Sequence, residues 1–394
     1  VIGHERSDRY DVVVVGARVA GAATALLLAR AGLRVLVVDR GRPGADTLST
    51  HALTRGGVIQ LHRWGVLDAV IGSGTPPVTR TTFHYGAESV AIDLEPRDGI
   101  DALYAPRRTV LDPILVEAAL DAGADIHHGC KVVSLLRDES GGVNGVDYVD
   151  LESDSAHRTQ AAMTVGADGV RSIVARECSS TTTWSGPEAG AMLYGYFPDP
   201  GIDGYHWCYR PRATAGVIPT NDQQVCMWVG TSSERFNNEL RGDPAAAFAL
   251  LSSEAAPEFS EAINPQTVDG RLFGYAGQPS YLRQPWGRGW ALVGDSGYFK
   301  DPLTAHGITD ALRDAELLAV AIIEHLTSDE TNPLAAYQAR RDQLSADFAD
   351  VTNRIASYAW DIDEIKALVR EEGHLLAEEA RLLSATASRH PNTP

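Results

Sequence analysis

The sequence predicts an α/β fold in which a domain of buried strands and helices is interrupted by an antiparallel β-sheet domain and followed by a C-terminal helical extension. Three observations carry this prediction. The chain opens with a strand, turn, helix and strand between Val12 and Val38, and it changes to aromatic-rich β segments between Ala191 and Gly230. It then returns to a buried strand at Trp290–Asp295, before helical sequence from Pro302 onward. The expected division is 1–75, 100–180 and 285–330 for the discontinuous first domain, 76–99 and 181–284 for the inserted sheet domain, and 331–394 for the extension.

The opening unit has a chemical motive. Val12 to Val15 read as a buried strand, and Gly16-Ala17-Arg18-Val19-Ala20-Gly21 turns tightly into an Ala- and Leu-rich helix from Val19 to Arg30, stopped by Gly32. Arg34 to Val38 is a second buried strand, with Asp39 at its end, 23 positions after Gly16. A Rossmann-like unit of this kind offers backbone N–H groups and the positive end of a helix dipole to a pyrophosphate, and glycine lets the backbone come close. An acidic side chain at about that spacing reaches a ribose hydroxyl. Arg18 departs from the pattern, because it stands where a second glycine is expected. Its backbone is expected to approach the phosphates while its side chain points away from the strand.

The remaining elements follow in order. Thr54 to Val70 reads as a helix ending near Gly65, and Thr79 to Leu94 as strand, turn and strand. Pro106 to Leu111 leads into a helix through Ala122, with Gly123 as its stop. Ile126–Leu135 and Val143–Leu151 resemble two strands about Gly141-Gly142, and Met163–Asp168 another. Pro302 to His325 reads as a long helix, and Pro333 to Leu383 as helical by periodicity and charge, packed over both domains.

Composition narrows the class. The 394 residues suggest two or three structural units, and 44% hydrophobic with 22% charged content is that of an ordinary globular protein. A formal net charge of −18 argues against a nucleic-acid partner, whose phosphates reward the opposite sign. No apolar run approaches the ~20 residues that cross a bilayer. Val1 to Tyr10 is polar rather than a signal peptide, so the expected location is cytoplasmic. Cys130, Cys178, Cys208 and Cys226 lack metal-ligand spacing, so no metal site is expected.

Two further motifs complete a pattern. Gly166-Ala167-Asp168-Gly169, and Gly294-Asp295-Ser296-Gly297 leading to Asp301-Pro302-Leu303-Thr304-Ala305-His306-Gly307-Ile308, follow the N-terminal turn in order. With them the sequence, over residues 9 to 330, resembles the FAD-dependent monooxygenases of the para-hydroxybenzoate hydroxylase fold, the group A flavoprotein monooxygenases. It is also similar to the geranylgeranyl reductase-like flavoproteins. The resemblance implies a resident FAD held by Gly16, Ala17, Arg18, Val19, Ala20 and Gly21. It further implies Asp39 and Arg40 at the adenosine, Arg108 near the phosphates or ribityl chain, and Asp168 and Gly169 supporting the pyrophosphate and a transient nicotinamide. Asp295 is implied at a ribityl hydroxyl, while Pro302, Gly307 and Ile308 face the flavin, the last two with the N–H groups of a helix start. His51, Arg55, His206, Tyr209 and His306 are the catalytic candidates.

The chemistry implied is NAD(P)H reduction of the flavin, addition of O2 to give a C4a-hydroperoxide, and hydroxylation of an aromatic or heteroaromatic small molecule, by a monomer or homodimer. Reduction of an isoprenoid double bond stands as the alternative. Halogenation is disfavoured, since it needs an early lysine and the first is Lys131. A non-catalytic flavin-binding redox sensor ranks last.

Overall fold

The computed structural model describes residues 9–260, 263–328 and 332–389. The polar stretch before Arg9 and the last residues of the helical extension lie outside them. From the N-terminus the elements are β1 (Arg9–Val15), α1 (Val19–Arg30), β2 (Val35–Val38), α2 (Arg55–Arg63), α3 (Leu67–Gly72), β3 (Arg80–Tyr85), β4 (Glu88–Asp93), α4 (Arg108–Asp121), β5 (Asp125–His127) and β6 (Cys130–Arg137). Next come β7 (Val143–Asp150), β8 (Ala156–Gly166), α5 (Ile173–Glu177), β9 (Thr182–Ser185), β10 (Gly190–Pro198), β11 (Tyr205–Arg210), β12 (Ala213–Thr220) and β13 (Gln224–Ser232). A short α6 (Ser233–Arg235) precedes α7 (Pro244–Ala255), β14 (Asp269–Tyr275), β15 (Tyr281–Arg283), β16 (Trp286–Gly287), β17 (Trp290–Leu292), β18 (Tyr298–Phe299), α8 (Gly307–Thr327), α9 (Pro333–Ala356) and α10 (Ile362–Arg389).

The first sheet has the order β16-β17-β8-β1-β2-β5, with the β6–β7 hairpin added beside β8. Its central strands β17, β8, β1, β2 and β5 run parallel, so both faces must be covered. Alternate β1 residues accordingly serve two cores. Val12 and Val14 pack with α1, α4 and α8, while Val13 and Val15 pack with Val132, Tyr148 and Trp290. The second sheet, β14-β10-β13-β12-β11-β3-β4, is antiparallel apart from β3 beside β11. One face carries Met192, Tyr194, Tyr196 and Tyr209 toward α9 and α10, and the other carries Leu193, Cys208 and Val229 toward α7.

Several boundaries differ from the sequence reading, each for a local reason. The stretch 54–70 splits into α2 and α3 because Gly65 turns the chain with φ +66°. Ile126–Leu135 divides at Gly129 into β5, parallel to β2, and β6, antiparallel to β7. Pro302 opens only a one-turn 3₁₀ segment, and Ala305 turns left-handed at φ +49°, so α8 begins at Gly307. The helical extension is two helices, broken where Tyr358 takes φ +53°.

Candidate functional site

A cavity of about 740 Å³ runs from the β1–α1 turn, past the start of α4, to the segment 294–308. Its wall brings together Gly16, Arg18, Val19, Ala20, Asp39, Arg40, His51, Arg108, Asp168, Gly169, Asp295, Pro302, Gly307 and Ile308. These positions lie on six separate stretches of chain. Ala17, Gly21, Arg55, His206, Tyr209 and His306 lie outside that wall.

The end of the cavity at the β1–α1 turn is built by close backbone packing. Gly16 has φ +106°, and a β-carbon there would sit 2.5 Å from the Ala167 carbonyl oxygen. At Gly21 a β-carbon would lie 1.8 Å from the Gly16 oxygen, so this glycine serves helix packing. Asp39 accepts hydrogen bonds from Ala17 N–H at 2.7 Å and Gly41 N–H at 2.6 Å, which ties the turn to the end of β2. Arg18 caps α1 with its backbone while its guanidinium reaches back to the Ala45 carbonyl at 2.8 Å and Asp112 at 3.1 Å. Asp112 also takes two bonds from Arg108. Two guanidiniums thus share one carboxylate beside a helix N-terminus, a surplus of positive charge that suits a pyrophosphate.

At the other end the charges are carboxylates, Asp301 buried, Asp168 half-buried and Asp295 open to the cavity. Asp168 accepts from Ile173 N–H at 2.6 Å and from Ser296 Oγ at 3.3 Å, joining the 168–169 turn to 294–297. Enclosure by the cavity walls pushes the Asp295 carboxyl upward, with Arg108 pulling it down and Asp310 adding to the rise. Asp301 is raised to about 7 by burial, although it accepts from Gly190 and Leu303 N–H groups. The orientation suits a flavin: Asp295 faces the cavity next to the start of α8, whose N–H groups and dipole favour negative charge. A glycine cradle, surplus arginine charge and a cavity-facing carboxylate therefore fit FAD.

The catalytic candidates scatter. His51 lines the cavity with φ +69°, stacks on Tyr196 and pairs its Nε2 with the Tyr196 hydroxyl, while Nδ1 has no partner among the described residues. Burial, then Arg108 and Arg107, hold its ring well below the usual histidine range, so it is neutral at pH 7. Arg55 instead clamps the carbonyls of Glu95, Arg97 and Ile100. Tyr209 stacks on Tyr85 against Trp360, and His206 lies on the opposite sheet face from Met192 and Tyr194, beside His84. His306 is fully buried in an ionic cluster behind the cavity, neither exposed nor on the wall.

Sequence reasoning missed Tyr275 and Phe299, which join Met192 and Tyr194 in an aromatic wall. The period-2 spacing of Met192, Tyr194 and Tyr196 on β10 was the available signal. Lys131 and Lys300 also line the cavity, which sequence position alone did not reveal. Lys300 is held by Asp310 at 3.0 Å and by His306 Nδ1 at 3.0 Å.

Comparison with known proteins agrees with this geometry. The chain is 30% identical over 254 residues to a probable electron transfer flavoprotein-quinone oxidoreductase of Escherichia coli, covering 62% of this chain and about half, 49%, of that protein. It is 26% identical over 370 residues to digeranylgeranylglycerophospholipid reductase 1 of Methanopyrus kandleri, covering 90% and 92% of the two chains. The fold matches that of PqsL, a probable FAD-dependent monooxygenase from Pseudomonas aeruginosa, with a TM-score of 0.79 at 20% identity, over 92% of this chain and all, 100%, of the other. Residues 9–352 match the FAD binding domain family, and the chain belongs to that family as an FAD-dependent oxidoreductase.

Proposed function

We propose that this chain is an FAD-dependent monooxygenase that uses NAD(P)H and O2 to hydroxylate an aromatic or heteroaromatic small molecule. The observation that carries the reading is the aromatic wall of Tyr194, Tyr275 and Phe299, with Met192, in the same cavity as Asp295 and the start of α8. Bound FAD supplies the two-electron reduction and the activation of oxygen. Gly16, the start of α1, Arg18 and Arg108 would hold its pyrophosphate, Asp39 its adenosine ribose, Asp295 its ribityl chain, and Gly307 and Ile308 the pyrimidine end. The aromatic wall stacks against a flat substrate and excludes water. His51, neutral and paired through Nε2 with the Tyr196 hydroxyl, would hold the wall behind the substrate in place. Arg107, 3.8 Å over the Tyr196 ring, fixes that pair in place.

The test is turnover by the FAD-loaded protein with NADH or NADPH and a panel of phenols, anilines and heteroaromatics. Substrate-stimulated oxygen uptake with a product heavier by one oxygen is expected; reduction without any oxygenated product rejects the reading. Reduction of an isoprenoid double bond is the second reading. It is favoured by the likeness to the Methanopyrus kandleri reductase along 90% of this chain. Anaerobic saturation of a geranylgeranyl lipid by the reduced protein would select it.

A further inference from the structure

Away from the flavin cavity, three side chains with metal-binding atoms converge on the far face of the second sheet. His84 of β3 and Cys208 of β11 are register partners, so their side chains emerge side by side. Glu258, in the turn after α7, closes over them, with Oε1 3.6 Å from His84 Nδ1 and 3.8 Å from Cys208 Sγ. One ligand atom from each lies within 4.8 Å of the other two. None of the three lines the flavin cavity.

Hydrogen bonds around the trio fix its chemistry. The Asp203 carbonyl can only accept, so His206 Nε2, 3.2 Å away, carries the proton and donates to it. In the neutral ring His206 Nδ1 then accepts from His84 Nε2–H across 3.0 Å. That leaves His84 Nδ1 deprotonated and accepting from the Ser89 hydroxyl at 2.8 Å, a rotatable donor that a metal ion would displace, with Glu258 Oε1 3.6 Å away. A ligating histidine usually shows its other nitrogen anchored by a hydrogen-bonded partner, as His206 anchors His84 Nε2. Phe259 packs edge-on against both rings and restricts their rotation. Arg210 lies 3.5 Å from the second oxygen of Glu258 and steadies the carboxylate.

We propose that His84, Cys208 and Glu258 bind a divalent transition-metal ion of the zinc class, with His206 positioning His84. A nitrogen, a sulfur and an oxygen ligand suit zinc, and they leave the fourth tetrahedral position to water. Binding replaces the thiol proton of Cys208, which is released to solvent. The ion would tie together β3, β11 and the turn after α7. The other mixed cluster, His306, Asp310 and Glu379, is different, because Lys300 and Arg313 already neutralise its carboxylates at 2.9–3.0 Å.

The test uses the full, flavin-loaded chain, stripped with a chelator and titrated with Co2+ in the visible and near ultraviolet. One equivalent is expected to bind, with tetrahedral d–d bands to the red of the flavin absorption and a thiolate-to-cobalt charge-transfer band that Zn2+ abolishes by displacement. Cys208→Ser should lose the charge-transfer band. Glu258→Gln, on an exposed turn, should weaken binding beyond the ~10–100-fold that loss of a hydrogen-bond partner behind a ligand costs. His206→Asn should weaken it within that range. Absence of stoichiometric cobalt uptake, a charge-transfer band undiminished in Cys208→Ser, or unchanged affinity in Glu258→Gln overturns the proposal. If Cys208→Ser does not fold, Glu258→Gln decides alone.

Discussion

Gly16 combines a φ of +106° with only 2.5 Å between a β-carbon position and the Ala167 oxygen, so conformation and space both demand glycine. Gly16→Ala is expected to cost about 1–3 kcal/mol from backbone strain alone, and more once β8 shifts, with loss of bound FAD; denaturant unfolding and flavin absorbance measure both. The buried Asp301 gives a pH signature. It stands at about 7 in the folded chain against 3.8 when free, so between those values the folded state holds a proton that the unfolded state has released. Stability contributed by the protonated carboxyl is complete below pH 3.8 and is lost as pH rises through 7. Thermal melts of the flavin-free chain should therefore fall across that interval from this source. Asp301→Asn should flatten the decline, and an unchanged slope contradicts the assignment.

Local elements were legible because their signals are local. Val12 to Asp39 encodes strand, turn, helix and acidic terminus within one βαβ unit, and the structure places Gly16 and Asp39 on one wall. The ionic cluster on α8 was not legible. Arg313 and His306 bond to Glu379 at 2.9 and 2.8 Å across 66 and 73 residues of sequence, a separation with no periodicity to read. His306 also deceived for a physical reason: the left-handed turn at Ala305 sends its ring backward onto Phe348, at 4.6 Å between centroids. Burial and Lys300 push its pKa down, but Glu379 and Asp310 outweigh them and leave it raised. Removing one member of such a cluster strands the others in a dry interior. Glu379→Ala should cost about 3–5 kcal/mol by chemical denaturation. Glu371→Ala, which breaks an exposed pair between α10 and Arg354 of α9, should cost about 0–1 kcal/mol.

At the scale of the whole molecule the segment 299–311 belongs to two structures at once. Phe299, Lys300, Pro302, Gly307 and Ile308 line the cavity, while Lys300, His306 and Asp310 are locked to α10 through Glu379. Helix α10 thus supports this edge of the cavity from behind, and none of its residues is on the cavity wall. FAD that binds only the folded chain should stabilise it by about 2.7 kcal/mol at a concentration 100 times its Kd. If the cluster holds the segment in its binding geometry, Glu379→Ala must lower FAD affinity as well as intrinsic stability, so its melting temperature gains less from the same FAD. Glu371→Ala should keep the full gain. A Glu379→Ala protein that melts early yet gains as much from FAD as the parent would confine the cluster to structural support and leave the cavity edge to be set by Asp301 and its bonds to Gly190 and Leu303.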